Sequence, residues 1–212
     1  MELLEKFLKK ELHIDNNIHM LDLFKNYNDL LLEWNKKINL ISRKTDSIEN
    51  HLLNSIFFLS KYPFDGNEQI IDIGTGGGFP GIPLKIIYPN LNVTLLDSIQ
   101  KKTTVLQDIS NLLNLDINIV TGRAEEVSKK TEFSQKYDII ISKAVSSLGN
   151  LFNWGEAFMN ADGRMLCIKG GEITGELKEL KSTYNFVKTE TIDYSFPSEY
   201  NIEDKKVVII SK

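Results

Sequence analysis

The chain has a single cysteine, Cys167, among 212 residues. A lone thiol excludes an internal disulfide framework and a cysteine-built zinc site, and it suits a reducing compartment. Histidine is nearly as scarce. His13, His19 and His51 are the full set, and all precede the first strand-like run, so no histidine is left to serve dehydrogenase chemistry there. No metal site is expected. No apolar run approaches the roughly 20 residues that cross a bilayer, and the opening MELLEKFLKKELHIDNN is charged throughout, without the apolar core of a secretory signal. A cytoplasmic monomer with no membrane partner is expected. No Gly-Lys-Ser/Thr follows the glycines, which excludes a P-loop, and no internal repeat or low-complexity tract appears.

What remains is ordinary globular composition, 42% hydrophobic and 25% charged, enough to bury one α/β core with a modest extension. The net charge of −4 argues against nucleic acid at face value. A sum over the chain hides distribution, however, and binding depends on the field at one face. Lys36, Lys37, Arg43 and Lys44 form a basic stretch with no acidic residue between Trp34 and Thr45. This segment alone fits a solvated helix end as well as it fits an RNA-gripping surface.

Up to about Tyr62 the apolar residues recur at helical spacing: Leu21, Phe24, Leu31 and Trp34 on one stripe, then Leu52, Leu53, Ile56, Phe57 and Leu59. Pro63 and Asp65-Gly66 mark a turn, dividing a helical extension (1–62) from a second unit (63–212). From Gln69 onward, short β-branched runs (QIIDI, NVTLLD, INIV, YDIII, RMLCI, VKTETIDY, KVVIIS) alternate with stretches suited to helices, such as Pro83–Tyr88, Gln100–Asn114 and Asn150–Met159. Seven strands alternating with helices predict an α/β, doubly wound, mostly parallel sheet of Rossmann-like type. The short link before the last run permits an antiparallel final pair. Such a sheet binds its ligand beyond the carboxyl ends of its strands.

The first run ends in Asp72-Ile-Gly74-Thr-Gly76-Gly-Gly78-Phe79-Pro80-Gly81. Glycines at these positions let the backbone turn tightly and approach a ligand closely. Asp97 closes the second run, nineteen residues beyond Gly78, where a carboxylate can accept hydrogen bonds from both ribose hydroxyls of an adenosine. Together they point to a nucleoside site. S-adenosylmethionine fits better than a dinucleotide, because Asp72 can meet its ammonium, directly or through water, while Pro80 and Pro83 remove amides that a pyrophosphate would use. Proline is also a common helix opener. Tyr184 and Lys188 spell the Y-x-x-x-K of short-chain dehydrogenases, but they lie where the chain is turning into a late strand, and we read them as coincidence.

Several blocks, in order along most of the chain, resemble the bacterial 16S ribosomal RNA guanine-N(7) methyltransferases, also called glucose-inhibited division protein B. They are Trp34-Asn35 with Asn39-Leu40, His51-Leu-Leu-Asn-Ser55, DIGTGGGFPGIPL, LLDS with Lys101-Lys102, Gly122-Arg-Ala-Glu-Glu126, Ser142-Lys-Ala144 and Lys169-Gly170. Two positions depart from the family pattern, Asn54 for aspartate and Lys143 for arginine; a lysine loses any bidentate contact. The resemblance implies a class I methyltransferase domain whose cofactor pocket is lined by Gly74 and Phe79, with Ala124-Glu125 on the adenine side and Lys143 flanking. A first-turn helix charge is the plainer reading of Glu125.

Lys101, Lys102, Arg123, Lys143 and Lys169 each follow a strand, which places five cations on one rim and favours an anionic partner. The region after the fourth strand, ISKAVSSL, lacks the Asn/Asp-Pro-Pro-aromatic motif of many base-amino methyltransferases, and Cys167 sits inside a strand rather than at a nucleophile's place. These absences permit methylation at guanine position 7, which needs no general base. The resemblance is what selects it, and it also implies 16S rRNA or the small ribosomal subunit as partner. Arg123, Lys143 and Lys169 are the candidate positioning residues. A methyltransferase for another RNA or a small molecule, a non-catalytic RNA-binding assembly protein, and a nicotinamide dehydrogenase are the alternatives.

Overall fold

The structure is a computed structural model that describes residues 1–15, 18–42 and 46–212. Seven strands, β1 (Gln69–Ile73), β2 (Asn92–Asp97), β3 (Ile117–Thr121), β4 (Tyr137–Lys143), β5 (Met159–Gly170), β6 (Lys188–Tyr194) and β7 (Lys205–Ser211), form one sheet in the order β3-β2-β1-β4-β5-β7-β6. Strands β1 to β5 pair in parallel. Strand β7 is antiparallel to both β5 and β6. The expected doubly wound sheet and its antiparallel final pair are both present. Only β5 extends well beyond its apolar run, starting at Met159 rather than Arg164, because Asn160–Gly163 pairs irregularly and carries no hydrophobic signal.

Eight α-helices accompany the sheet among the described residues: α1 (Glu2–Lys10), α2 (Ile18–Asn35), α3 (Glu49–Ile56), α4 (Gly81–Ile87), α5 (Gln100–Leu112), α6 (Ala124–Val127), α7 (Leu148–Gly155) and α8 (Thr174–Thr183). Strand alternation sorts the core into two layers. Ile70, Leu95, Ile139, Ile141 and Val207 belong to the layer that also holds Phe7, Leu31 and Ile56 from the N-terminal helices. Ile71, Leu96, Ile140, Cys167 and Val208 face α6, α7 and α8. The helices of residues 1–62 therefore close one face of the sheet and share its core. No helix among the described residues is long and apolar enough to cross a membrane.

Helix α2 buries Met20, Phe24, Tyr27, Leu31 and Asn35. This stripe is rotated from the one read in the sequence: Leu21 and Trp34 lie on its flanks, and the fully buried Tyr27, a residue with a polar tip, takes a central place. Asn35 ends the helix by accepting from the Leu40 and Ile41 N–H groups at 2.8 and 3.0 Å, which accounts for the Trp34-Asn35 and Asn39-Leu40 blocks as chain-turning devices.

Chain order reverses at β1, which lies between β2 and β4, and this opens a crevice beyond the carboxyl ends of β1 and β4. An aromatic cluster fastens the N-terminal helices to the far edge of the sheet. Phe57, just after α3, meets Tyr194 of β6 edge-on at 4.8 Å, and Phe7 of α1 meets Tyr200 at 5.1 Å. Both phenylalanines are fully buried. Phe57→Ala is expected to lower unfolding free energy by about 3–5 kcal/mol, measured by urea denaturation, with the β-sheet circular dichroism signal of the folded state retained.

Candidate functional site

The bend after β1 is built around a buried carboxylate. Asp72 Oδ2 accepts the Thr75 hydroxyl at 2.7 Å and the Gly81 N–H at 3.0 Å. A Cβ on Gly81 would lie 2.2 Å from Leu95 Cδ2 and 3.1 Å from Asp72 Oδ2, so a side chain there would displace the buried leucine and crowd the carboxylate. The Gly74 N–H donates to Leu96 O at 2.8 Å, tying the bend to β2. Gly74, at φ +71°, has the Val145 methyls within 3.0 Å of a built Cβ, so both the backbone conformation and the space favour glycine. At the apex the Gly76 N–H donates to Asp97 Oδ2 at 3.0 Å, and the Tyr27 hydroxyl donates to Gly77 O at 2.6 Å.

Two cavities open along the crevice and share Val145. The smaller, about 260 Å³, is lined by Gly74 from the bend, Asp97 and Ser98 after β2, Gly122 to Glu125 after β3, and Trp154. Asp97 is nearly buried, and its Oδ1 accepts the Ile99 N–H at 2.9 Å. Each of its oxygens thus accepts one backbone donor and keeps a lone pair for another. The larger cavity, about 730 Å³, is bordered by His51 and Asn54 of α3, Lys143 to Ser147 after β4, Lys169 at the end of β5, Glu176 of α8, and Asn201 and Lys205 before and at the start of β7.

Lys143 is the pivot of the larger cavity. Its Nζ donates to Ser55 Oγ at 3.0 Å and lies 4.6 Å from the centre of the Phe79 ring. Burial pulls its pKa down to about 8, opposed by the field of Asp72 and assisted by Lys205. Asp72 is pushed up to about 6 by burial, against the Thr75 and Gly81 hydrogen bonds and the field of Lys143. Its second oxygen, Oδ1, is buried without a hydrogen-bond partner among the described residues. His51 packs on Phe79 at 5.5 Å, and burial followed by the Lys143 charge lowers its pKa, leaving it neutral at physiological pH. Ala144, next to Lys143, holds φ +55°, a strained conformation for a residue with a Cβ.

Of the residues singled out in the sequence, Gly74, Asp97, Arg123, Ala124 and Glu125 meet at the smaller cavity, and Lys143 and Lys169 at the larger. Asp72, Gly76, Gly78 and Phe79 line neither and stand behind the wall as its supports. Lys169 is already engaged, with its Nζ 2.7 Å from the Glu176 carboxylate and donating to Ser146 O at 2.8 Å. Lys101 and Lys102 open α5 outside both cavities, Lys36 and Lys37 are exposed at the end of α2, and Arg43 and Lys44 lie outside the described residues. Lys37 Nζ sits 4.9 Å from the half-buried Trp34 ring.

Position ahead of the sheet does not keep His51 from the site, since α3 delivers it to the strand ends. His51 and Ser55 enter the sequence reading only as parts of a family-like block with no role at the site, and Val145, Asn201 and Lys205 are not singled out there; a further signal is the spacing of 51, 54 and 55 on a single helix face. Cys167 is fully buried, and burial pushes its thiol up to about 12, so it offers no nucleophile. No cluster of three or more histidine, cysteine or acidic side chains with metal-binding geometry occurs among the described residues.

With this geometry in hand, comparison with known proteins is specific. The family model for rRNA small subunit methyltransferase G matches residues 20–204. A ribosomal RNA small subunit methyltransferase G from Lachnoclostridium phytofermentans is 40% identical over 173 residues, covering 80% of this chain and 72% of its own. A protein of the same name from Thermoanaerobacter sp. is 37% identical over 194 residues, covering 87% and 81%. Among solved structures, Aeropyrum pernix fibrillarin in complex with natively bound S-adenosyl-L-methionine superposes with a TM-score of 0.55 at 13% identity, over 76% of this chain and 74% of its own. A fibrillarin/Nop5p complex gives 0.57 at 13% identity, over 81% and 88%. The structural likenesses show the fold; the sequence matches go further, and the chain belongs to the rRNA small subunit methyltransferase G family.

Proposed function

We propose that this protein, a monomer acting in the cytoplasm, transfers a methyl group from S-adenosylmethionine to position 7 of a guanine in 16S rRNA of the small ribosomal subunit. The observation that carries the reading is the pair of cavities meeting at Val145 over Gly74, one shaped for a nucleoside donor and the other lined with cations for an RNA acceptor. The donor site is assigned to Gly74, Asp97, Ala124 and Glu125, with Asp72, Gly76, Gly78 and Phe79 holding the bend and Lys143 flanking it. The residues suit the donor: Asp97 keeps an acceptor lone pair on each oxygen for the ribose hydroxyls, whereas the fully buried Asp72 lines neither cavity and acts through the bend it holds rather than by meeting the ammonium. S-adenosylmethionine supplies an electrophilic methyl that the lone pair at position 7 of neutral guanine takes without prior proton loss.

The chain's own residues then bind and orient, and none removes a proton. Lys143 and Lys205 hold phosphate or the guanine oxygen, Arg123 extends the positive rim toward the donor side, and the ion-paired Lys169 fixes the Ser146 carbonyl in the loop after β4. Neutral His51 and Phe79 form an aromatic wall behind Lys143. Catalysis comes from proximity and from a site that tolerates positive charge moving from sulfur to base. The exposed Lys36, Lys37 and Lys101 and the half-buried Lys102, with Arg43 and Lys44, are assigned to the RNA backbone, and residues 1–62, an extension of the methyltransferase unit (63–212), contribute the first pair and Arg43 and Lys44 to this outer grip.

The direct test is mass spectrometry of small-subunit rRNA from cells with and without the gene; unchanged 7-methylguanosine removes the reading. Binding to the subunit should also weaken steeply as salt rises. Gly74→Ala forces a Cβ into a left-handed backbone and against Val145, at about 1–2 kcal/mol of strain, so KM for the donor is expected to rise about tenfold. Lys143 is cationic below its pKa of about 8 and neutral above it, so kcat/KM for the subunit should fall as pH rises through 8. Lys143→Arg, charged throughout, should abolish that alkaline decline; its persistence would show that another group titrates.

A further inference from the structure

The two ends of the glycine bend are anchored in the sheet, by the Gly74 and Thr75 N–H groups on Leu96 O and by the Asp72 carboxylate on Thr75 and Gly81. The apex, Gly76 to Gly78, has no side chains of its own with which to hold a conformation, and Gly76 and Gly78 both take positive φ. Backbone bonds hold Gly78, whose N–H donates to Thr75 O at 2.9 Å and whose carbonyl accepts the Ile82 N–H at 2.8 Å, and two side chains hold Gly76 and Gly77. Asp97 takes the Gly76 N–H at the wall of the smaller cavity, and Tyr27 takes the Gly77 carbonyl from behind. We propose that Tyr27 is a positioning residue for the methyl donor: its hydroxyl, carried in on α2, clamps the Gly77 carbonyl and thereby sets the apex at the height where Asp97 and Gly74 meet the donor. The proposal rests on reading the smaller cavity as the donor site.

The geometry around Tyr27 leaves little slack. The ring is fully buried and tilts against Phe79 at 5.5 Å, and a Cβ on Gly78 would stand 3.0 Å from its hydroxyl oxygen. Ile41, from the same N-terminal segment, lies 3.5 Å from a Cβ built on Gly77. No solvent reaches the hydroxyl, so removing it leaves the Gly77 carbonyl without a replacement donor, a situation proteins avoid. Burial, and then the negative field of Asp72, keep the phenol protonated and therefore donating at every working pH. On this view the inner face of α2 is part of the donor site, whatever its outer face does for RNA.

Tyr27→Phe keeps the ring and removes only the donor. Tyr194→Phe is the matched control, because the Tyr194 hydroxyl also makes a buried bond to a backbone carbonyl, Phe58 O at 3.1 Å, far from the bend. Calorimetry with S-adenosylhomocysteine should show affinity falling about 3- to 10-fold in Tyr27→Phe and unchanged in Tyr194→Phe. KM for S-adenosylmethionine should rise by the same factor, with kcat at saturating donor and KM for the subunit unmoved. Hydrogen exchange at Gly76 and Gly78 should speed up while the amides of α2 keep their protection. Wild-type affinity in Tyr27→Phe, equal weakening in both variants, or α2 exchanging as fast as the bend would each overturn the clamp while the donor site stands. A wild-type protein that binds neither S-adenosylmethionine nor its demethylated product would bring down the donor site itself, and the clamp with it.

Discussion

One carboxylate taken out of water organises the centre of this molecule. Asp72 Oδ2 joins the Thr75 hydroxyl to the Gly81 N–H, so the end of β1, the bend and the start of α4 become one hydrogen-bonded unit. A buried charge is tolerated only when it is partnered, and here the partners are supplied by the segment that has to be shaped. Burial raises the Asp72 pKa to about 6 while Lys143, also desolvated, is drawn down to about 8, so each group partly offsets the other's penalty across the crevice. The bend cannot shift without disturbing this couple, and the wall of the smaller cavity inherits its rigidity.

The sheet was readable because its inner strands β1, β2, β4 and β7 are largely buried and so appear as short apolar, β-branched runs, with punctuation between them. The half-exposed β3 and β6 at its edges still carry β-branched residues. Where a strand carries polar residues, as β5 does at Asn160–Gly163, no such signal exists and its start is missed. The grouping of residues at the smaller cavity was equally readable. Gly74, Asp97 and Glu125 follow consecutive strand ends, and a parallel sheet brings such positions together by topology alone. The stripe of α2 was misjudged because a tyrosine with a buried hydroxyl contributes no hydrophobic signal of the usual strength, yet it occupies the centre of the packed face.

The lining of the larger cavity was mostly hidden. His51 and Ser55 reach Lys143 only because α3 folds back over the strand ends, a long-range fact that no local pattern encodes. Lys205 and Asn201 reach the larger cavity because β7 runs against its neighbours, so its beginning lies where the parallel strands finish. Five cations following strand ends, Lys101, Lys102, Arg123, Lys143 and Lys169, were expected on one rim. The fold instead places Arg123 at the smaller cavity, leaves Lys101 and Lys102 outside both, pairs Lys169 with Glu176, and brings in Lys205, which was not among the five, beside Lys143.

That reversed strand has a consequence for assembly. The walls of the larger cavity come from segments as far apart as residues 50 and 205, with strands β1 to β6 lying between them in sequence. Bringing such distant pieces into one chamber carries a larger loop-closure cost than pairing neighbouring strands does. Residues up to Trp154 contain the whole lining of the smaller cavity, whereas a chain that stops short of Asn201 and Lys205 lacks one wall of the larger. The two chambers are thus completed at different lengths of chain.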